Sequence, residues 1–581
     1  MTQNHWDIEK IYPGEEERLK AKERIETNLD KLQNLSDGQA EDLPEILKLY
    51  SLLQREFSTY YSFTRMRRDV NTKDPSAQKL QQESDGLNAR FEAATAFIRP
   101  LLLSLTDEET KTLLEQPDME RFALPIERIR RYQDHTLSAK EEKILSALSE
   151  TGGLFSNAFF MLSFADMEFP ELEDGTKITS SNFVNLLESK DRAVRKETFE
   201  KYYGTYEGLK NTFAAQMYGN VVSNVRRAQL RNFGSAREEA LYEDDVDLKV
   251  YDALVEAVSD ALPDLHEYYR IKGRAQGLDP LHIYDVYLPV DTGEDAKVEY
   301  EKAKGWLLEA VAPLGEEYRK IVQEAFDKRW IDVYPKDGKQ SGAYSGGSYD
   351  SMPYILLNYM DNLDSAFTLA HEMGHSVHSY LSRENNIFEE HNYTIFVAEV
   401  ASTFNELLLL DYLKKNADSD AQRLRLVDHL LNSFKSTVFR QTMFAEFEQQ
   451  THARVEDNGT LTDEELRDLY YGLNEKYFGD SVVLDEEIAL EYARIPHFYR
   501  AFYVYKYATG FLSSVLLSRR VLDGEEGAVE KYLQFLKDGG KHFPLDQLKE
   551  AGVDLTDPEV LKEGLQLFSE LVEEFRGLTE Q

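Results

Sequence analysis

The sequence predicts a mainly α-helical protein divided into two lobes. Apolar residues recur at helical spacing over most of the 581-residue chain, with Glu, Lys and Arg between them. A chain of this length is about two to three times larger than a single hydrophobic core usually allows. Besides one small hairpin, three short runs have the composition of β-strands, so we expect any sheet to be small.

The first part of the chain is predicted to be an all-helical lobe. Long helices are expected in series over residues 15–148, separated by short polar segments. The segment 167–178 is typical of a small hairpin with its turn at Asp174-Gly175. We place the lobe boundary at this hairpin. Residues 1–180 are then an amino-terminal helical lobe, and residues 181–581 are a catalytic lobe that carries every candidate site residue.

The catalytic lobe is predicted to resume as helices over residues 182–275 and 296–329. Runs at 282–287, 330–334 and 353–359 have strand composition and are expected to form one small sheet. The Gly-rich segment 341–349 lacks the Gly-Lys-Ser/Thr ending of a phosphate-binding loop. We interpret it as a mobile loop on the substrate side, with an ordinary surface turn as the alternative.

The composition argues against several classes of partner. The chain has 106 Asp plus Glu and 67 Lys plus Arg, a net charge of −39, which repels phosphate backbones and anionic lipid surfaces. Cys is absent, so disulfides and thiolate metal ligands are excluded. The amino terminus lacks the pattern of a secretory signal, and no run of about 18 apolar residues occurs. We therefore expect a cytoplasmic protein without nucleic-acid or membrane partners.

One motif stands out for its chemistry: His371-Glu372-Met373-Gly374-His375, in a segment predicted to be a helix with Asp364 as its N-cap. On a helix of about 3.6 residues per turn, His371 and His375 share one face and can converge on one metal ion. Glu372 projects to the side, where it can act on water at the metal without being a ligand. This is the pattern of a zinc hydrolase. The alternative is a solvent-facing polar stripe.

A zinc site with two His needs a third protein ligand and one open position. His378 is one candidate, because it follows His375 by three residues. It would lie about 10 Å along the helix axis from His371, which gives a nearly linear row where a tetrahedral site needs a triangle. We therefore predict that His378 lies on the helix surface or contacts the ligands.

The favoured third ligand is Glu399, from the next helical run at residues 393–410. This run is apolar on most sides, but Glu399, Ser402 and Glu406 share one face. An acidic stripe on such a helix needs a partner, and a metal-bearing helix would supply one. We assign Glu406 a hydrogen bond to a ligand His. The alternative is a solvated stripe at the edge of a helical bundle.

The segment 494–510 combines one His with an unusual density of Tyr. Hydrolysis of an amide generates an oxyanion, which neutral donors such as a Tyr hydroxyl or a His N–H stabilise. His497 and Tyr507 are our candidates for these donors, with Tyr503 and Tyr505 behind them. Because aromatic helices are often plain hydrophobic core, that interpretation stays open for each Tyr.

Taken in chain order, these segments resemble oligoendopeptidase F, in the thimet oligopeptidase family of zinc metallopeptidases. The resemblance is detailed from about residue 190 onward and general in the helical first third. The matching segments are 342–345, 353–359, 371–379, 398–406, 495–499 and 505–510.

The resemblance implies a two-lobed, zincin-like helical enzyme with a deep central channel, which cuts unstructured oligopeptides and excludes folded proteins. It implies that the strand at 353–359 binds the substrate backbone by edge pairing, with Gly342 and Tyr344 on the substrate side. The remaining assignments match the family's pattern residue by residue: one Zn²⁺ held by His371, His375 and Glu399, Glu372 as general base, and His497 and Tyr507 as transition-state stabilisers.

The function predicted from the sequence is therefore that of a zinc-dependent oligoendopeptidase acting on oligopeptides. Two alternatives stay open. One is an exopeptidase on the same scaffold, such as a carboxypeptidase or a dipeptidase, and the other is a catalytically silent peptide-binding protein.

Overall fold

The computed structural model describes residues 4–36, 38–290 and 297–580, and over these residues the chain is mainly α-helical, as predicted. The helices, in chain order, are α1 (Glu15–Asn34), α2 (Leu43–Val70), α3 (Pro75–Thr95), α4 (Ile98–Ser104), α5 (Asp107–Leu114), α6 (Ala123–Arg130), α7 (Ala139–Met161), α8 (Phe183–Leu187), α9 (Arg192–Glu207), α10 (Lys210–Leu230), α11 (Ala236–Tyr242), α12 (Leu248–Asp260), α13 (Leu262–Ala275), α14 (Tyr300–Ala310), α15 (Gly315–Asp327), α16 (Leu363–Asn385), α17 (Ile395–Lys415), α18 (Asp420–Phe434), α19 (Arg440–Glu456), α20 (Asp463–Phe478), α21 (Tyr505–Leu522), α22 (Ala528–Asp538), α23 (Pro544–Glu550) and α24 (Pro558–Thr579).

The predicted helical regions are confirmed, with α1 to α7 in the first region and α8 to α13 in the second. Helices α14 and α15 account for the region predicted at 296–329, of which residue 296 lies outside the described residues. The hairpin at 167–178 is present as one antiparallel bridge, Glu171↔Lys177. Its turn uses Gly175 at φ +85°, a conformation that glycine adopts without steric cost.

The sheet has three short strands, β1 (Ile331–Asp332), β2 (Tyr344–Gly346) and β3 (Tyr354–Leu356), in the order β1-β3-β2. Strand β3 pairs parallel to β1 through Ile331↔Ile355 and antiparallel to β2 through Ser345↔Ile355. All three residues of β3 are buried. A small sheet is therefore present, and two of its strands lie within the runs predicted at 330–334 and 353–359.

Two local predictions are wrong. The run at 282–287 forms a 3-10 turn, Ile283–Asp285, because Asp285 accepts a hydrogen bond from the His282 backbone N–H at 3.1 Å and closes the turn. The third strand comes instead from the segment predicted as a loop at 341–349, which contains β2. Since β3 is the central strand, it has no open edge for the predicted substrate pairing. Both β1 and β2 are outer strands, and the amino-terminal backbone lies along β1, where the Val333 N–H donates to the Asn4 carbonyl at 3.0 Å. Strand β2 is the outer strand on the other side of β3.

The chain forms two compact units, each assembled from three segments. The first unit comprises Met1–Asp134, Asp295–Lys415 and Leu517–Gly552, and the second comprises His135–Glu294, Asn416–Leu516 and Val553–Gln581. The domain boundary predicted between residues 180 and 181 stays a prediction, since compactness does not establish which segments fold on their own.

In the first unit, helices α1 to α6 share a hydrophobic core that includes Leu29, Leu47 and Phe91. Helices α16 and α17 are packed together and also contact α22, where the Phe404 ring stacks on Tyr532 with 3.7 Å between centroids. In the second unit, fully buried Tyr side chains form much of the core. Among the described residues, no helix combines the length and apolar character that crossing a bilayer requires.

Candidate active site

The motif helix α16 begins after Asn362, whose side-chain oxygen accepts a hydrogen bond from the Ser365 backbone N–H at 2.9 Å. The N-cap is therefore Asn362, and the prediction of Asp364 was wrong by two residues. The extended backbone of Asn362, with φ −128° and ψ 174°, directs its short amide side chain at the first turn. Asp364 lies inside that turn, where the helix dipole favours a negative charge.

Gly374 sets how closely α16 approaches α17. A Cβ atom at this position would lie 2.4 Å from the Ala401 carbonyl oxygen and 2.7 Å from the Ser402 Cα. Any side chain would thus push the two helices apart. The same contact includes a hydrogen bond from Asn405 Nδ2 to the Ala370 carbonyl at 3.3 Å. Sequence reasoning assigned no role to Gly374, although a glycine inside an apolar helix is a signal of close packing.

The close approach brings Glu399 beside the two motif histidines. Glu399 Oε2 lies 3.5 Å from His371 Nε2 and 3.7 Å from His375 Nε2, and the three ligand atoms all lie within 4.8 Å of one another. Tetrahedral zinc with bonds of about 2.0–2.1 Å separates its ligand atoms by roughly 3.3 Å. Two imidazole nitrogens and one carboxylate oxygen at these distances therefore suit a divalent metal with an open coordination position.

Glu406 lies on the other side of His371, with its Oε1 2.6 Å from His371 Nδ1. A proton on Nδ1 that is donated to Glu406 leaves Nε2 directed at Glu399. Burial lowers the pKa of His371, but the hydrogen bond and charge of Glu406 outweigh it and raise that pKa to about 9. Burial, with His371 and His378 nearby, lowers the pKa of His375 to about 3 and keeps it neutral.

Glu372 is buried, with 7% of its surface exposed, and its Oε2 has no hydrogen-bond partner among the described residues. Burial raises its pKa. The charge of His371 opposes that rise and the carboxylate of Glu399 adds to it, so the pKa is about 7. A carboxyl group that titrates near neutrality, beside a metal-binding triad and with one oxygen unused, is suited to transfer a proton.

His378 does not join the group of ligand atoms. It is fully buried and stacks on Tyr393, with ring centroids 3.6 Å apart and planes 9° from parallel. Burial lowers its pKa to about 3. His378 therefore does not lie on an exposed helix surface as predicted, because this face of α16 packs against Tyr393 and the Phe535 ring of α22.

The predicted oxyanion donors lie in the second unit. His497 is in a 3-10 turn, Pro496–Tyr499, and its ring centroid is 6.1 Å from that of Tyr507 at the start of α21. Tyr503 packs against Tyr507, and Tyr505 is fully buried in the core. Burial, with Arg440 and Arg500 nearby, lowers the pKa of His497. The catalytic roles of these residues stay predictions.

Two buried polar residues that sequence reasoning missed hold the chain around His497. Asn220 Nδ2 donates to the Phe498 carbonyl at 3.0 Å, and Glu448 Oε1 accepts from the Phe502 backbone N–H at 2.9 Å. Phe502 has φ +53°, a left-handed conformation that is costly for a non-glycine residue. No sequence signal marked them, because Asn220 and Glu448 lie on the distant helices α10 and α19.

The two predicted substrate residues lie at the edge strand. Gly342 is exposed, and its carbonyl accepts from Asn358 Nδ2 at 2.7 Å. The Tyr344 hydroxyl donates to Asp69 at 2.9 Å, so it is already engaged within the protein. The next residue, Ser345, lies with its Oγ 2.8 Å from Ser376 Oγ. Strand β2 is therefore attached directly to the motif helix.

A helical fold built around a buried His-Glu-x-x-His helix defines the class of this protein as a metallopeptidase. The family model described as Peptidase family M3 matches residues 185–567, and the one described as Oligopeptidase F matches residues 102–169. The chain belongs to peptidase family M3. It is a metallo-oligopeptidase, a hydrolase with a metal cofactor and peptide substrates.

Relatives match over nearly the whole chain. Oligopeptidase PepF of Bacillus subtilis is 41% identical, covering 99% of this chain and 87% of its own length. Group B oligopeptidase PepB of Streptococcus agalactiae is 38% identical, covering 99% and 96% respectively. The crystal structure of oligoendopeptidase-F from Enterococcus faecium is 33% identical, with a TM-score of 0.75 over 97% of this chain and 98% of that one. The predicted family and fold class are thus confirmed.

Proposed function

We propose that this protein is a zinc-dependent oligoendopeptidase of the cytoplasm, which hydrolyses internal bonds of short, unstructured peptides. The observation that carries the proposal is the set of donor-atom distances of 3.5 and 3.7 Å from Glu399 to the two motif histidines, beside the buried carboxyl of Glu372. Internal cleavage is supported by the names of the relatives, which include oligoendopeptidase F from Lactococcus lactis. A cytoplasmic location agrees with a Cys-free sequence, and a net charge of −39 disfavours nucleic acid and anionic membranes as partners.

In this proposal His371, His375 and Glu399 hold the zinc, which when bound polarises the scissile carbonyl and activates water. Glu372 accepts a proton from the attacking water as the C–O bond forms. It then delivers that proton to the amine nitrogen as the C–N bond breaks. Glu406 accepts a hydrogen bond from Nδ1 of His371, so that Nε2 is the nitrogen directed at the metal.

Two further residues complete the proposal. His497 and Tyr507 are assigned as donors of hydrogen bonds to the oxyanion. This assignment rests on the sequence pattern and on the chemistry of a neutral imidazole and a phenol, for which the lowered pKa of His497 is favourable.

A quenched fluorescent peptide with both ends blocked tests the proposed function. We expect internal cleavage that a chelator abolishes and that stoichiometric Zn²⁺ restores. An exopeptidase would cleave only the matching peptide with free ends, and a silent peptide-binding protein would cleave neither. Cleavage that continues unchanged in the metal-free protein would exclude the metal-dependent mechanism.

A further inference from the structure

A large cavity lies beside the carboxyl-terminal half of α16, within the first unit. Its volume is about 900 Å³. The walls include the aromatic rings of Tyr349, Phe388 and Tyr393, together with one end of the segment that follows β2. Arg383, on α16, also lines it. Two further Arg (Arg99 and Arg128) and two Glu (Glu92 and Glu389) also line it. The cavity therefore combines apolar surface with charged groups that can orient a ligand.

Arg383 has no carboxylate partner among the residues that the structure describes. Its one described hydrogen bond runs from Nη1 to the Ser351 carbonyl at 3.1 Å. The neighbouring acids are engaged elsewhere: Asp350 forms a bidentate pair with Arg55, and Glu389 accepts from Ser51. A guanidinium has five N–H donors, so Arg383 retains donors for another group.

The electrostatic surroundings support the same conclusion. Burial lowers the pKa of Arg383 to about 10, and the charges of Tyr393 and Asp350 offset this only in part. Arg383 still carries its charge at neutral pH. In a protein with a net charge of −39, a half-buried guanidinium group that is hydrogen-bonded to no carboxylate of the described residues is a specific point of attraction for an anion.

The cavity is within reach of a peptide bound at the candidate active site. Arg383 follows His375 by eight residues on the same helix, a rise of about 12 Å. Strand β2 is attached to that helix through Ser345 and Ser376, and the chain after β2 reaches the cavity at Gly347. An extended peptide advances about 3.3 Å per residue. Its third or fourth residue from the cleaved bond would therefore lie near Arg383.

We propose that Arg383 binds a carboxylate of the peptide substrate in this cavity and so contributes to substrate selection. The ligand is either the carboxyl terminus or an acidic side chain placed three or four residues from the cleaved bond. Arg suits this task because its planar donors match both carboxylate oxygens. The inference rests on the proposed function and adds to it a substrate class.

Three kinds of peptide, all based on one parent sequence, separate the two sources of carboxylate. The reference peptide has blocked ends and no acidic residue. The second kind has a free carboxyl terminus three or four residues beyond the cleaved bond. The third kind has blocked ends and one Glu, which is placed in turn at the third and fourth positions on each side of that bond. A peptide with Gln at the same position is the matched control for each Glu peptide. We measure kcat/KM for the unaltered protein, for Arg383→Gln and for Arg383→Lys.

We expect the unaltered protein to prefer one carboxylate-bearing peptide over the reference peptide by about 10- to 100-fold, the range of a charge-assisted hydrogen bond. In Arg383→Gln the ratio of kcat/KM between the carboxylate-bearing peptide and the reference peptide should fall to about 1, and Arg383→Lys should keep part of the preference. Arg99→Gln removes an exposed charge from the same cavity and should leave the preference intact. If only the peptide with a free carboxyl terminus is preferred, the carboxyl terminus is the ligand. If only a Glu peptide is preferred over its Gln control, the acidic side chain is the ligand.

Two results would overturn the proposal. One is an equal loss of activity on all three peptides in Arg383→Gln and Arg383→Lys, which indicates that Arg383 only holds the turn at Ser351. The other is a carboxylate preference that survives Arg383→Gln, or the absence of any preference. Calorimetric binding of the same peptides to Glu372→Gln, with and without Arg383→Gln, reports the carboxylate contact without cleavage. Failure of the proposed peptidase function is therefore distinguishable from failure of this inference.

Discussion

Gly374 on α16 faces the carbonyl of Ala401 on α17 so closely that a Cβ atom would lie 2.4 Å from that oxygen. We predict that Gly374→Ala lowers the free energy of unfolding by about 1–3 kcal/mol, as overpacking does. It should also weaken metal binding, because Glu399 would move away from His371 and His375. Thermal unfolding and a zinc titration measure the two effects.

Gly305, within α14 of the same unit, is the matched control. Apart from the adjoining backbone of α14 itself, no atom of the described residues lies within 4 Å of a Cβ built there, so Gly305→Ala should leave metal affinity unchanged and raise stability by about 0.5–1 kcal/mol. If Gly374→Ala behaves like Gly305→Ala, the helix contact does not position the site.

Glu372→Gln should bind metal normally and lose about 10²–10⁴-fold in kcat. The amide has nearly the same shape, but it cannot accept a proton from water. Steady-state kinetics on a blocked peptide, together with metal analysis, test this. Glu384→Gln, an exposed substitution on the same helix, is the control and should remain active. Near-normal turnover of Glu372→Gln would rule out this general base.

The third ligand is tested by comparing zinc affinities. Glu399→Ala should lose far more affinity than His378→Ala, because His378 is stacked in the core and lies outside the ligand group. Glu406→Gln should weaken zinc binding by about 10- to 100-fold through His371, as changes behind a ligand typically do. Competition with a chromophoric chelator gives the values. The reverse ranking of Glu399 and His378 would make His378 the ligand.

The acid stability of the protein should depend on Glu491, which is buried in the second unit between Arg440 and Arg494, with N–O distances of 2.7 and 2.6 Å. Burial raises the pKa of Glu491, but the two guanidinium groups outweigh it and lower that pKa to about 2. The folded pKa lies below the ordinary value of 4.5. This stabilisation is thus fully present above about pH 4.5 and is lost as pH falls towards 2.

Chemical denaturation as a function of pH measures this contribution, which we expect to be on the order of a few kcal/mol. Glu491→Gln should flatten the stability profile between pH 4.5 and 2. If the free energy of unfolding falls equally steeply with decreasing pH in both proteins, groups other than Glu491 determine the acid stability.

The sequence predicts the helices well, because helical periodicity is a local property. It also singles out His371 and His375 by their spacing, and the structure brings their donor atoms close to that of Glu399. It does not predict the features that depend on contacts between residues far apart in the sequence. The segment 341–349 has loop composition, yet part of it becomes β2 because β3 offers a partner strand. The run at 282–287 has strand composition, yet Asp285 closes it into a turn. Arg383 looks like an ordinary charged residue until the cavity around it is known.

The central claim is that His371, His375 and Glu399 bind the one zinc ion needed for catalysis. Anomalous diffraction at the zinc edge, from crystals of the active protein with one equivalent of Zn²⁺, tests it most directly. We predict a single peak bounded by these three side chains. A peak elsewhere, such as at the partly exposed group Asp538, His542 and Glu550, or no peak in fully active protein, would contradict the account.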